Sequence, residues 1–136
     1  DVVICAHVIY TAELIEPFLR KLTRASRRDV LIVVFDRSAM SNYFPLWELV
    51  YGEKRLSLPS LNELKNVLGE MDIDFSAEPL PEWQSRPFKD LDSAFEESDS
   101  IAKLRDVRED SLMPVEGGLR FKWATTHRPW LVSWCA

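Results

Sequence analysis

Two short apolar stretches decide the fold: VVICA at residues 2–6 and VLIVVF at residues 30–35. Neither alternates with polar residues, and both are rich in β-branched side chains, a pattern typical of strands buried on both faces of a parallel sheet. The segment between them is amphipathic, with apolar residues at helical spacing: Leu14, Ile15, Phe18, Leu19 and Leu22. A strand, a helix and a second strand form a βαβ unit, so we predict an α/β fold.

Local patterns predict further helices and strands. Ser60 followed by Glu63 is a capping box, which predicts a helix that begins at residue 61. Pro17 suits the first turn of the preceding helix, because its missing N–H costs nothing there. The remaining predicted elements are a short helix near 46–51, a strand over 75–80 and one or two acidic helices over 89–110.

The C-terminal region has the pattern of an antiparallel hairpin. Leu119, Phe121 and Trp123 alternate with basic residues, which predicts a half-exposed strand. Residues 126–129, THRP, predict a turn. The apolar run at 130–135 then predicts a final strand, antiparallel to the one before it.

Length and composition limit the class of protein. The chain has 136 residues and a mass of 15.8 kDa, so we predict a single domain over residues 1–136. Its net charge of −5 gives no support to nucleic-acid binding. The sequence has no run of about 18 apolar residues that would predict a membrane span. Cys5 and Cys135 are the only cysteines in the sequence, and two distant cysteines do not make a disulfide framework. Free cysteines are typical of a reducing compartment, so we predict a cytoplasmic protein.

The carboxyl ends of the two predicted parallel strands form the edge where ligands bind in such sheets. His7 lies at the first of these ends, and a neutral imidazole there could take a proton from a nucleophile or hold a substrate group. A structural histidine bonded to a neighbouring carbonyl explains the same residue equally well. Cys5 shares strand parity with His7, which would allow a thiol–imidazole pair, although a buried inert cysteine is the favoured interpretation.

Two aromatic residues form a second candidate site. Trp47 and Tyr51 are four residues apart and could wall a substrate pocket, or could simply pack the loop that carries them. We predict no metal site, because the two histidines and two cysteines show no ligand spacing.

The opening decapeptide, DVVICAHVIY at residues 1–10, resembles the fourth strand and following loop of class I S-adenosylmethionine-dependent methyltransferases. Residues 17–22, PFLRKL, look like the next helix of that family, and residues 30–35 look like its fifth strand. Residues 45–53, PLWELVYGE, are similar to an insertion in one bacterial branch of the family. The resemblance is strongest over residues 1–80.

This resemblance implies methyl transfer from S-adenosylmethionine to an acceptor that the sequence does not identify. The residues it implies beside the methionine end of the cofactor are Cys5, Ala6 and His7. His7 would be a base or an orienting group. The substrate wall that it implies consists of Tyr10, Trp47 and Tyr51.

The chain departs from the family in two respects. Residues 25–29, ASRRD, stand where the family has a Pro-Gly-Gly-like turn, and the family's glycine-rich cofactor loop is not in this sequence. We therefore interpret the chain as the carboxyl-terminal part of a methyltransferase domain and expect it to be inactive alone. The family's strand order is 3-2-1-4-5-7-6, with the seventh antiparallel. The chain would then keep a Rossmann-like half-sheet of strands four to seven, with flanking helices.

Such a half-sheet leaves its first strand as an unpaired edge, which invites pairing with another chain. We therefore expect self-association through residues 2–6, or association with the missing portion. The alternative function is a non-catalytic α/β binding or assembly module. A flavodoxin-like or hydrolase fragment is disfavoured, because the sequence has neither a phosphate loop nor a G-x-S-x-G elbow.

Overall fold

The computed structural model describes residues 1–98, 109–124 and 126–136, which form a mixed α/β structure. Apart from short 3-10 turns, the elements in chain order are β1 (Val3–Ala6), α1 (Ile15–Ala25), β2 (Asp29–Phe35), α2 (Phe44–Tyr51), α3 (Leu61–Glu70), β3 (Ser76–Pro79), α4 (Leu91–Ser98), β4 (Leu112–Val115), β5 (Gly118–Phe121) and β6 (Pro129–Cys135).

The described residues divide into two compact units. The first, called the sheet unit, comprises Asp1–Ala39, Leu58–Trp83 and His127–Ala136. The second, called the hairpin unit, comprises Met40–Ser57 and the described residues of Gln84–Thr126. The sheet unit therefore contains β1, β2, β3 and β6 with α1 and α3, and the hairpin unit contains the other elements.

The sheet unit holds a four-stranded sheet in the order β1-β2-β6-β3. β1 and β2 are parallel, with Cys5 opposite Ile32. β6 is antiparallel to both of its neighbours, so that Val132 lies opposite Ile32 on one side and Ala77 on the other. The last strand of the chain is therefore an inner strand of the sheet.

The predicted C-terminal hairpin is wrong. β5 pairs with β4 in a separate two-stranded sheet, with Leu119 opposite Pro114, whereas β6 pairs with β2 and β3. The physical reason is burial. As an inner strand, β6 places Val132 and Trp134 in a core that a two-stranded ribbon does not provide.

The core of the sheet unit lies on one face of the sheet. The strand residues that are buried there are Cys5, Val30, Ile32, Val34, Val132 and Trp134. The helices α1 and α3 cover this face with Leu19, Leu61, Leu64 and Leu68. Full burial of each such leucine contributes about 1.5–3 kcal/mol, so the two helices are held mainly by this face.

The opposite face of the sheet is less well covered. Ile4 is 70% exposed, and Leu31 and Val33 are only partly buried. The expectation that both strands are buried on both faces is therefore wrong for the described residues. The reason is that α1 and α3 pack into the same cluster on the other side of the sheet.

The predicted helix starts are confirmed. Pro17 lies in the first turn of α1, and a capping box begins α3. The Glu63 carboxylate accepts hydrogen bonds from the backbone N–H and the hydroxyl of Ser60, each 2.9 Å long. The pKa of Glu63 is lowered first by a hydrogen bond from its own backbone N–H and then by these two bonds. α2 and β3 also lie in the segments predicted for them. None of the described helices has the length and apolar character needed to cross a bilayer.

The hairpin unit is built around β4, β5 and α2. Its core residues are Leu46, Ala94, Leu112 and Phe121. The backbones of Phe88 and Leu119 exchange two hydrogen bonds of 2.8 Å, which brings the Phe88 carbonyl against Gly118. The sequence predicts one or two acidic helices over residues 89–110, and α4 lies at the start of this range. Residues 99–108 of the prediction lie outside the described part of the chain.

Candidate functional site

The backbone turns sharply at His7, directly after β1. His7 has a φ of 57°, in the left-handed region, and its N–H donates to the Val33 carbonyl at 2.9 Å. A non-glycine residue in this region costs of order 1–3 kcal/mol, and it persists only where the surrounding structure holds it there. The strained residue sits at the carboxyl end of a parallel strand, the edge where ligands bind in such sheets. The combination of a left-handed backbone and this position makes His7 a candidate site residue.

The side chain of His7 is held by two neighbours. Its ring stacks on Phe35, with ring centroids 4.5 Å apart and an interplanar angle of 25°. Its Nδ1 atom lies 3.3 Å from the Tyr10 hydroxyl oxygen. That oxygen also accepts a 2.8 Å hydrogen bond from the Phe35 backbone N–H. Tyr10 thus links the loop after β1 to the last residue of β2.

The direction of the hydrogen bond between Tyr10 and His7 determines what His7 can do. Burial raises the pKa of the Tyr10 phenol, and the Asp36 carboxylate raises it further, against the opposing effect of the Phe35 hydrogen bond. The hydroxyl therefore keeps its proton near neutral pH. Its oxygen can accept a bond from His7 Nδ1–H, in which case Nε2 is unprotonated and able to accept a proton. If Tyr10 donates instead, Nε2 carries the proton and can only donate it.

A second histidine packs against the same phenylalanine. His127 is 1% exposed, and its Nδ1 lies 3.1 Å from the Arg37 carbonyl oxygen. Because a carbonyl only accepts, Nδ1 carries the proton in this bond. Burial lowers the pKa of His127, with the Arg37 hydrogen bond as an opposing effect. Its ring centroid is 5.6 Å from that of Phe35. The sequence pattern predicted only a turn here, and it contains no periodicity that would have placed His127 at this position.

Trp83 completes the aromatic surroundings of Phe35. Its ring centroid lies 5.7 Å from that of Phe35, and its backbone exchanges hydrogen bonds of 2.7 and 2.8 Å with His127. We call the group formed by His7, Phe35, Trp83 and His127 the aromatic platform. His7 and Trp83 are its exposed members, so the platform presents flat ring surface and one titratable imidazole at the strand ends.

Cys5 and His7 do not lie in the same environment. Cys5 is buried in the core of the sheet unit, whereas His7 is exposed. The left-handed turn at His7 ends the alternation of the strand, which is why shared parity does not bring the two side chains together. Burial raises the pKa of the Cys5 thiol, with a hydrogen bond from the Val8 backbone as an opposing effect. A neutral, buried thiol is a poor nucleophile, which favours the inert interpretation. Ala6, between them, is exposed.

Trp47 and Tyr51 contact each other on α2 of the hairpin unit. Their ring centroids are 4.2 Å apart, and the Arg55 guanidinium carbon lies 3.8 Å from the Trp47 centroid. Leu46, rather than either aromatic residue, fills the core of this unit, and Tyr51 is 48% exposed. Tyr51 is therefore accessible from solvent, whereas the Trp47 ring is partly covered by Arg55. Tyr10, the third residue expected in the substrate wall, belongs to the sheet unit.

No protein-family model, curated protein or solved structure matches this chain. Among residues 1–98, 109–124 and 126–136, no group of three or more His, Cys, Asp or Glu side chains is placed to hold a metal ion. The two cysteines are both free. The site therefore consists of an imidazole, a phenol and aromatic rings at the carboxyl ends of β1 and β2.

Proposed function

We propose that the sheet unit forms one wall of an S-adenosylmethionine-dependent methyltransferase site, within a Rossmann-like sheet. The strand order β1-β2-β6-β3, with β6 antiparallel to both neighbours, carries this proposal. Residues 1–10 resemble a family whose strands 4, 5, 7 and 6 are adjacent in this order, with strand 7 antiparallel. β1, β2, β6 and β3 would correspond to these four strands. The simplest alternative topology, a hairpin between β5 and β6, would not give this strand order.

The residues present suit only one end of that cofactor. The exposed turn at Ala6 and His7 offers backbone and an imidazole to a methionine moiety, with Cys5 beneath it. The sequence contains four glycines and no glycine-rich loop, so the adenosine moiety would be held by residues that this sequence does not contain. We therefore propose that the chain requires that second half for activity.

When bound, the cofactor would supply a sulfonium methyl group as the electrophile. The role of this chain is to position the acceptor and to accept the proton that the acceptor atom releases. In the tautomer that we propose, His7 Nδ1–H donates to the Tyr10 oxygen, which lies 3.3 Å away, and Nε2 is then free to take a proton from the acceptor atom. The stack on Phe35 fixes the plane of the imidazole. Tyr10 is the contact for the acceptor that we propose within the sheet unit, and the resemblance implies Trp47 and Tyr51 as further substrate-binding residues.

Photo-crosslinking with tritiated S-adenosylmethionine tests this proposal on the natural gene product that contains the chain. We expect label in the tryptic peptide that carries His7 and ends at Arg20, and we expect excess S-adenosylhomocysteine to abolish it. His7→Ala should reduce the labelling, whereas Glu13→Ala, an exposed change in the same peptide, should not. Binding of the cofactor without label in this peptide would contradict the proposed site, and no binding at all would contradict the proposed function.

The second candidate function is a non-catalytic binding or assembly module. It is favoured by one specific observation: Ile4 is 70% exposed on β1, which lies at the edge of the sheet. We propose self-association of the chain through this strand. Absence of cofactor labelling together with a mass that rises with concentration would support the module over the enzyme. With either function we propose a cytoplasmic location, because both cysteines are free thiols.

A further inference from the structure

Two hydroxyl residues in the sequence follow a pair of basic residues at the second and third positions before them. Thr23 follows Arg20-Lys21, and Ser57 follows Lys54-Arg55. This arrangement suits the acidic substrate grooves of basophilic serine/threonine protein kinases, which select substrates by charge pattern. In sequence the two sites are equivalent, so the choice between them depends on the fold.

The fold makes Thr23 inaccessible to such an enzyme. Thr23 lies in α1, where its hydroxyl donates to the Leu19 carbonyl at 3.1 Å and accepts a 3.1 Å bond from the Trp134 indole N–H. Transfer to this hydroxyl would require the last turns of α1 to unwind and a core tryptophan to lose its partner. A kinase, however, binds its substrate in an extended conformation around the accepting hydroxyl.

Ser57 has the opposite surroundings. It is exposed, and residues 53–60 have no regular secondary structure, so this segment has the backbone form that a kinase groove requires. Leu56, beside it, is 88% exposed. No helix or strand has to open to present the hydroxyl.

The two basic residues that would be recognised are also accessible. Arg55 lies over the Trp47 ring, and Lys54 is 3.9 Å from the Glu48 carboxylate, both at the surface. Exposed cation–π contacts and surface ion pairs of this kind are weak. An acidic kinase groove can therefore take both cations without disturbing the core of the hairpin unit.

We propose that Ser57 is a phosphorylation site for a basophilic serine/threonine protein kinase that uses ATP. The Ser57 Oγ forms a bond to the γ-phosphorus of ATP as the bond from that phosphorus to the β,γ-bridging oxygen breaks. ADP leaves, and the hydroxyl proton passes to the kinase's catalytic carboxylate. The product carries about two negative charges two residues from Arg55. This proposal is independent of methyl transfer.

The test uses the catalytic subunit of a cyclic-AMP-dependent protein kinase with labelled ATP on the full chain. We expect phosphate in the tryptic peptide of residues 56–65. Ser57→Ala should lower incorporation by more than about tenfold, and the Lys54→Ala/Arg55→Ala double variant should do the same, because each removes a recognised group. Thr23→Val should leave incorporation unchanged. Circular dichroism checks that each variant keeps its fold.

Synthetic peptides of residues 17–29 and 50–62 separate the effect of the fold from that of the sequence. We expect both peptides to be phosphorylated, but only Ser57 to be modified in the folded chain. Phosphate on Thr23 of the folded chain, failure of the 50–62 peptide to react, or equal incorporation in wild type and Ser57→Ala would each overturn the proposal.

Discussion

The Tyr10 hydroxyl oxygen accepts a 2.8 Å hydrogen bond from the Phe35 backbone N–H. This bond joins the loop after β1 to the end of β2, two segments that are 25 residues apart. The same oxygen lies 3.3 Å from His7 Nδ1. One phenol therefore connects the sheet to the strained histidine, and the geometry of the candidate site depends on it.

Replacing Tyr10 with phenylalanine tests this connection. The change leaves the Phe35 N–H without its partner, so we expect the free energy of unfolding to fall by about 1–3 kcal/mol, measured by urea denaturation. Tyr51→Phe is the matched control, since that side chain is 48% exposed, and it should change stability by less than about 0.5 kcal/mol. Equal effects of the two variants would show that the hydrogen bond does not stabilise the fold.

His127 should make the stability of the chain pH-dependent. Burial lowers its pKa in the folded state below the usual 6.5, so the unfolded chain binds more protons as the pH falls. Its contribution is present above about pH 6.5 and is lost as the pH falls through the folded-state pKa, at no more than about 1.4 kcal/mol per pH unit. Denaturation curves between pH 7.5 and 5.5 would measure the slope.

The control for this pH dependence replaces the histidine. His127→Gln removes the titrating group, so the slope between these pH values should become smaller. A slope that survives in His127→Gln would mean that another group is responsible.

Two glycines should respond oppositely to alanine. Gly118 has a φ of +149°, and a Cβ there would collide with the Phe88 carbonyl oxygen, so Gly118→Ala should destabilise the chain by more than about 2 kcal/mol. Gly69 lies in α3 with open space around it, and Gly69→Ala should stabilise the chain by about 0.5–1 kcal/mol. Thermal unfolding of the two variants measures both signs, and stabilisation by Gly118→Ala would disprove the close approach.

The capping box at the start of α3 should contribute measurably to stability. Ser60→Ala removes the cap and one of the two bonds to Glu63, and we expect a loss of about 1 kcal/mol in chemical denaturation. Ser57→Ala, three residues earlier in irregular exposed backbone, should stay within about 0.5 kcal/mol of the wild type. If both serine variants behave alike, the cap has no energetic role.

The exposed edge strand predicts a change in mass with concentration. We expect light scattering to show a rising mass for the wild type and a constant mass near 15.8 kDa for Ile4→Lys, because a charge on an edge strand opposes pairing. Leu56→Lys, at a residue that is 88% exposed but outside the sheet, should still associate. A wild-type chain that stays monomeric at high concentration would refute this pairing.

Part of the candidate site was predictable from the sequence. The rule that ligands bind at the carboxyl ends of parallel strands pointed to His7, and the resemblance pointed to Tyr10. The left-handed backbone at His7 was not predictable, because histidine tolerates several backbone conformations and the tertiary contacts select one. Trp83 and His127 join the site through contacts with Phe35 that no local pattern encodes.

Local elements follow from the sequence by itself. Each of these elements depends on residues that are close together in the sequence: the apolar runs of β1 and β2, the apolar stripe on α1 and the capping box of α3. Periodicity and caps are therefore sufficient to predict them. Only the tertiary structure decided the partners of β6, the face of the sheet that is covered, and which of Thr23 and Ser57 is accessible. These features depend on competition for burial between segments that are far apart in the chain. β6 pairs with the distant strands β2 and β3 rather than with its sequence neighbour β5, because this pairing buries more apolar surface.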